Sequence, residues 1–251
     1  MNPGPVAGRQ VVLGTMRIHE KGRSEAEWAE LLALAWDRGV RRLHSSSEYD
    51  SFAMFRHVLM RLREQRPDVG FEHVVKLAEP SFREDGFDAV RLESRIRDYC
   101  AALGVARLDC VQWMWRSDLD SDEKRLADFR ASAAAITEAT DQLRVAGLIG
   151  EFACFPYSRS FAQAAIESEL FDGLIVYANP GERDYEPEIG QARGAEMFVD
   201  IIRPFGQGRE LVASGQPACV YVGALLDGLG ARSAILSVSD RAQLDALLPA
   251  A

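Results

Sequence analysis

Short β-type apolar runs alternate with stretches of helical periodicity along the whole chain, and this pattern constrains the fold more than any single residue. Strand-like runs are read at residues 11–13, 41–45, 73–78, 108–114, 148–153, 173–178, 197–202 and 234–237. Ser24 to Glu27 forms an S-x-x-E capping box, which opens a helix. Trp28, Leu31, Leu32, Ala35 and Trp36 follow with the spacing of one buried helical face, and Gly39 is placed as its stop. Further helices are expected near residues 52–64 and 122–146, and over 218–229 and 241–248. Leu92, Ile96, Tyr99, Cys100 and Leu103 mark another on a 3.6-residue period. Strands separated by helices pair in parallel. Eight such units in 251 residues predict a closed (β/α)8 TIM barrel, a single domain over 1–251. No G-x-G-x-x-G follows the first strand, so a dinucleotide-binding open sheet lacks its phosphate loop.

Composition narrows the function classes. The net charge of −9 gives no basic footprint for nucleic acid. No apolar run approaches the ~18 residues of a membrane span, and residues 1–9 carry no apolar signal region. Cys100, Cys110, Cys154 and Cys219 form no C-x-x-C pair and read as buried, reduced thiols. A cytoplasmic protein acting on a small molecule is the expectation.

In barrels of this kind chemistry sits at the carboxyl ends of the strands. Tyr49 and Lys76 each follow a short apolar run and stand out there. The landmarks around them occur in the order seen in aldo-keto reductases. Leu13-Gly14-Thr15-Met16 matches the opening G-T-M run, and His44-Ser45-Ser46-Ser47-Glu48-Tyr49 stands at D-T-A-x-x-Y. Val74-Val75-Lys76 matches the third strand's lysine. Leu103-Gly104 and Leu108 through Met114 match the helix-then-strand signature. Leu148 through Ala153, Ile175 through Asn179 with Arg183, and Pro204-Phe205-Gly206-Gln207-Gly208 complete the series. The chain thus resembles the aldo-keto reductase superfamily as a divergent, shorter member.

The resemblance implies a catalytic tetrad of Asp, Tyr, Lys and His. Here Tyr49 and Lys76 remain, while His44 stands at the Asp position and Met114 at the His position. Lys76 loses the anion that favours its charged form, and a thioether polarises no carbonyl. The residues expected to hold the nicotinamide carboxamide fall on Phe152, Ala153 and Ile175, all apolar. Arg203 stands near the position of the aromatic residue that stacks on the ring, which suggests an anion site. His44 reads equally as catalytic or as a hydrogen-bonded core histidine, and with Glu48 it lacks a third metal ligand, so no metal is expected.

Met114, Trp115, Glu151, Asn179 and Arg203 are the expected substrate-binding residues. Arg116 joins Trp115 as a possible pocket wall, whereas strand parity turns Trp113 to the core. Glu151 and Arg203 read equally as an ion pair at the rim. If a cofactor is retained, Gly14, Thr15, Pro204, Gly206, Gly208, Ser237 and Arg241 would bind it. Residues 183–188 read as a solvated loop, and His19, His57 and His73 as structural. On the sequence, the preferred reading is a barrel enzyme repurposed for cofactor-independent acid/base or lysine-assisted chemistry on a carbonyl compound (isomerase, lyase or cyclase type). No cofactor is favoured. The alternative is an NADPH-dependent reductase with Tyr49 as proton donor, and the third reading is a non-catalytic binding barrel.

Overall fold

The computed structural model describes residues 5–18 and 22–249, so His19 lies outside the described residues. Eight parallel strands close into a barrel in sequence order. They are β1 (Val11–Gly14), β2 (Arg42–Ser45), β3 (Glu72–Ala78), β4 (Leu108–Met114), β5 (Ile149–Cys154), β6 (Gly173–Tyr177), β7 (Phe198–Ile202) and β8 (Ser233–Leu236). The helices are α1 (Glu25–Asp37), α2 (Phe52–Gln65), α3 (Ala89–Leu103), α4 (Asp122–Val145), α5 (Arg159–Glu167), α6 (Glu186–Gly194), α7 (Arg209–Ser214), α8 (Ala218–Leu229) and α9 (Arg241–Leu247). The architecture is the (β/α)8 barrel that the alternation predicts. No helix among the described residues is long and apolar enough to cross a membrane.

By packing, the chain divides into two compact units: Met1–His73, Tyr177–Arg183 and Asp200–Ala251 form one, and Val74–Val176 with Asp184–Val199 form the other. In the first unit, β1 pairs with both β2 and β8, and β8 with β7. Helix α1 begins as the capping box requires: Glu27 N donates to Ser24 Oγ, and Ser24 N donates to the Glu27 carboxylate at 2.8 Å. Its Trp28, Leu31, Leu32 and Ala35 are buried. Trp36 is only half-buried, lying edge-on to Phe71 with the Arg41 guanidinium 4.0 Å from its ring centroid. The wholly buried Asp200 accepts from Ser233 Oγ at 2.6 Å and Arg232 Nη2 at 2.7 Å, with Arg42 Nη1 at 3.5 Å. This network ties the first residues of β2 and β8 to β7, at the strand ends opposite those that carry chemistry in barrels.

In the second unit the register aligns Val75, Val111 and Phe152 across β3, β4 and β5, and likewise Lys76, Gln112 and Ala153. Adjacent rows face opposite sides of a sheet. Trp113 lies among Phe129 of α4, Phe161 of α5, Phe152 and Phe171, so its row faces the helices. The core placement expected for Trp113 is what the structure has. Helix α3 buries Leu92, Ile96, Tyr99, Cys100 and Leu103, as their spacing predicts. All four cysteines are free and buried.

Two sequence expectations are corrected here. The solvated loop expected over residues 183–188 is confined to the turn at 183–185. Helix α6 starts at Glu186, and Glu188 is buried against α5, accepting from Arg159 Nε at 3.0 Å. A charged residue in a charge-rich run looks solvated until its tertiary partner is known. Lys76 does not follow its strand but lies inside β3, which continues to Ala78.

Candidate active site

In the first unit, β2 ends at Ser45 and the chain turns at once: Tyr49 N donates to Ser46 O at 3.1 Å, and Phe52 N to Tyr49 O at 2.8 Å. This turn holds Tyr49 half-buried, just after the strand. Its ring centroid lies 6.2 Å from that of His44, which is buried at the end of β2. The backbone carbonyl of His44 accepts from both Thr15 N at 3.0 Å and Thr15 Oγ1 at 3.1 Å. Thr15 is thereby spent on joining β1 to β2. A Cβ at Gly14 would lie 2.9 Å from Ser237 Oγ, so a side chain there would require Ser237 to turn aside.

At the ends of β6 and β7, Arg203 takes the left-handed conformation, φ 59°, with its guanidinium 4.4 Å from the Tyr177 ring centroid. Glu182 is its ion partner at 3.7 Å. Asn179 is committed to this loop: Nδ2 donates to Arg203 O at 2.9 Å and to Glu182 Oε2 at 2.5 Å, and Oδ1 accepts from Gly181 N. The Pro204–Gly208 turn is anchored by Tyr221, whose hydroxyl donates to Pro204 O at 2.9 Å. Burial pushes that phenol up to about 12, so it remains a donor at ordinary pH. Arg241 is exposed and sits 3.6 Å from Asp245.

In the second unit, Lys76 shares a row with Gln112 and Ala153 on the face of the sheet turned from the helices. Met114 pairs with Ala78 in the row nearer the strand ends, and Glu151 pairs with Cys110 in the row farther from them. Trp115 is wholly buried, its ring edge-on to Trp113 at 6.0 Å. The β3–β4 ladder continues past both strands, since Glu79 N donates to Met114 O and Arg116 N to Pro80 O. Glu79, unremarked in the sequence, is fully buried and held by Arg91 Nη2 at 2.5 Å and by Arg95. Burial pushes its carboxyl up, against the opposing pull of the two arginines.

Tyr157 is the second residue that sequence reasoning missed. It follows β5 and places its hydroxyl 2.7 Å from Arg116 Nε and 3.4 Å from Met114 Sδ. No sequence periodicity marks such a loop residue; only the convergence of the β4 and β5 ends brings it to Met114. Among the described residues, no group of three or more His, Cys, Asp or Glu side chains is placed to hold a metal.

No family model and no curated protein matches the sequence. Solved structures do match. A protein of Pseudomonas aeruginosa described as an aldo-keto reductase superposes with TM-score 0.71 at 21% identity, covering 95% of this chain and 87% of its own. A thermostable aldo-keto reductase solved with the inhibitor epalrestat gives 0.69 at 18% identity, covering 95% and 88%. The holo form of an aldo-keto reductase from Bacillus halodurans gives 0.72 at 14%, covering 95% and 85%. The chain has the aldo-keto reductase fold.

This likeness corrects the preference for no cofactor. Enzymes with the aldo-keto reductase fold typically use NAD(P)H, which the sequence reading kept only as the alternative. The structure also weakens a premise of that preference. Phe152 faces the helices, stacked on Phe171 with ring centroids 5.5 Å apart and planes within 9°. Its apolar character is a packing requirement and carries no information about a nicotinamide.

The residues at the ends of β7 and β8 suit a dinucleotide's phosphates. A Cβ on Gly208, φ 92°, would meet no atom within 4 Å, so ligand can approach the backbone there. Arg203, Ser237 and Arg241 add guanidinium and hydroxyl donors, the chemistry that binds phosphate. The carboxylates of Glu182, Asp245 and Glu210, the last close to the Cβ position of Gly206, oppose that charge.

Proposed function

We propose that this protein is an NAD(P)H-dependent carbonyl reductase with Tyr49 as proton donor. The observation that carries this reading is the extent of the shared fold, 95% of the chain at a TM-score of 0.72. It displaces the cofactor-independent reading preferred on sequence, which rested on the apolar replacements. Gly206, Gly208, Ser237 and Arg241 would hold the dinucleotide, with Gly14, Thr15 and Pro204 shaping the backbone around it. When bound, a reduced nicotinamide supplies the hydride that adds to the carbonyl carbon.

The remaining chemistry belongs to the side chains. Tyr49 gives its phenolic proton to the carbonyl oxygen as negative charge develops there, general acid catalysis worth about 10²–10⁴-fold. The aldo-keto reductase resemblance assigns Lys76 the positive charge that favours a phenolate. His44, buried beside the Tyr49 ring, orients that phenol. Glu151 and Arg203 would set substrate charge preference, and Met114 the apolar wall. The substrate is a small carbonyl compound, and the protein is a cytoplasmic single-domain barrel.

The test is NADPH oxidation with a panel of aldehydes and ketones, alongside calorimetric NADPH titration. Turnover that falls at least 100-fold in Tyr49→Phe, with NADPH binding retained, is expected. Folded protein that neither binds NADPH nor oxidises it across the panel would sink the proposal.

A further inference from the structure

The Arg116–Tyr157 pair is built more elaborately than a surface contact requires. Tyr157 has φ 61°, a left-handed conformation that is costly for a residue with a Cβ. The surroundings enforce it. Arg125 is wholly buried, and its Nη2 donates to Trp115 O at 3.3 Å and to Pro156 O at 3.1 Å. One guanidinium therefore clamps the segment after β4 to the segment after β5, each a residue away from the pair. Phe155 packs edge-on against the Tyr157 ring at 4.8 Å.

The chemistry of the pair follows from donor and acceptor roles. Arg116, 6% exposed, donates from Nε to the phenolic oxygen at 2.7 Å. A cation donating to a phenol oxygen strengthens that phenol as a donor in turn. The phenolic proton is directed at Met114 Sδ at 3.4 Å. A thioether is a weak acceptor, and a carbonyl oxygen arriving there would outcompete it. Met114 pairs in register with Ala78, two rows beyond Lys76 and Gln112 and so on the same face. Phe82, 58% exposed, lies 5.0 Å from the Arg116 guanidinium and offers an aromatic surface beside the phenol.

We propose that Tyr157 is a second catalytic phenol, which donates a hydrogen bond to the substrate's carbonyl oxygen, with Arg116 as its positioning residue and an aryl or similarly planar carbonyl compound as substrate. The assignment of a reaction to this contact rests on the reductase reading, but the contact can be observed without it. Tyr157 transfers no proton; it stabilises the charge that develops on oxygen.

The probe is para-nitrobenzaldehyde, and the first readout is the carbonyl stretch of the bound aldehyde in the full-length protein without cofactor, by difference infrared spectroscopy. A downshifted band is expected in wild type, and in Tyr157→Phe it should move back towards the position of the free aldehyde. With NADPH, Tyr157→Phe should lower kcat about 100-fold, the loss typical of one oxyanion donor, with the KM for NADPH unchanged. A band identical in wild type and Tyr157→Phe, or a kcat within threefold of wild type, overturns the proposal. If Tyr157→Phe does not fold, Arg116→Met decides: it should move the band part of the way back, and an unmoved band overturns the proposal. A downshifted, Tyr157-dependent band in a protein that never oxidises NADPH sinks the reductase reading and leaves this contact standing. Failure of the aldehyde to bind overturns this proposal and leaves the reductase reading to the NADPH oxidation assay.

Discussion

Replacing Phe152 by alanine separates two accounts of the same residue. If the side chain lined a nicotinamide pocket, its removal would change cofactor binding and cost little stability. The structure places it elsewhere: fully buried, stacked on Phe171 at 5.5 Å and beside Trp113 at 5.9 Å. Removing a buried phenyl ring leaves a cavity and costs about 3–5 kcal/mol. The lost aromatic pairs contribute about 0.5–1.5 kcal/mol each within that figure. For a domain of this size each kcal/mol moves the melting temperature by roughly 2–4 °C, so Phe152→Ala should melt roughly 6–20 °C below wild type. Scanning calorimetry gives this number, and NADPH titration of the same variant below its transition should give an unchanged Kd. A melting temperature within about 2 °C of wild type, joined to a tenfold change in Kd, would refute the assignment of Phe152 to the helix-facing core.

Further substitutions test other parts of the structure. Asp200→Ala leaves Arg42, Arg232 and Ser233 around an empty acceptor position, and chemical denaturation should show a loss of about 3–5 kcal/mol. Gly150→Ala would put a Cβ 2.5 Å from Asp109 O, so β4 and β5 must part; reduced yield or a lower melting temperature is expected, and a wild-type melting curve would contradict it. Asp88 caps α3, and hydrogen bonds from Arg91 N and Val90 N hold its carboxyl below 3.8. Its contribution is therefore present above the unfolded pKa and lost as pH falls through the lower folded value. Asp88→Ala should lower the melting temperature at neutral pH and narrow its gap to wild type below about pH 4, as followed by circular dichroism.

The sequence by itself determined the architecture. Eight alternations of apolar run and helical period leave few arrangements other than a closed parallel barrel, because each strand must bury both faces and each helix one. Local chemistry was legible too: the Ser24–Glu27 cap and the buried stripe of α3 involve residues three or four apart, whose geometry a helix fixes. Tyr49 was visible by its offset from the end of β2, and Lys76 as the one charged residue in the apolar run of β3.

The tertiary structure decided what each side chain faces and what it meets. An apolar residue at position 152 reads alike whether it lines a pocket or fills a core. Only the register of β5 on β4, with the aromatic layer of α4 and α5 behind it, turns Phe152 outward. Glu188 looked solvated until Arg159, 29 positions earlier, was brought against it. Tyr157 was invisible for the same reason. Its hydroxyl meets Arg116 and Met114 across 41 and 43 positions, and loop contacts of that separation follow no repeat that a sequence displays. Periodicity reports which elements form, while the partners of a buried polar group depend on how distant segments are brought together.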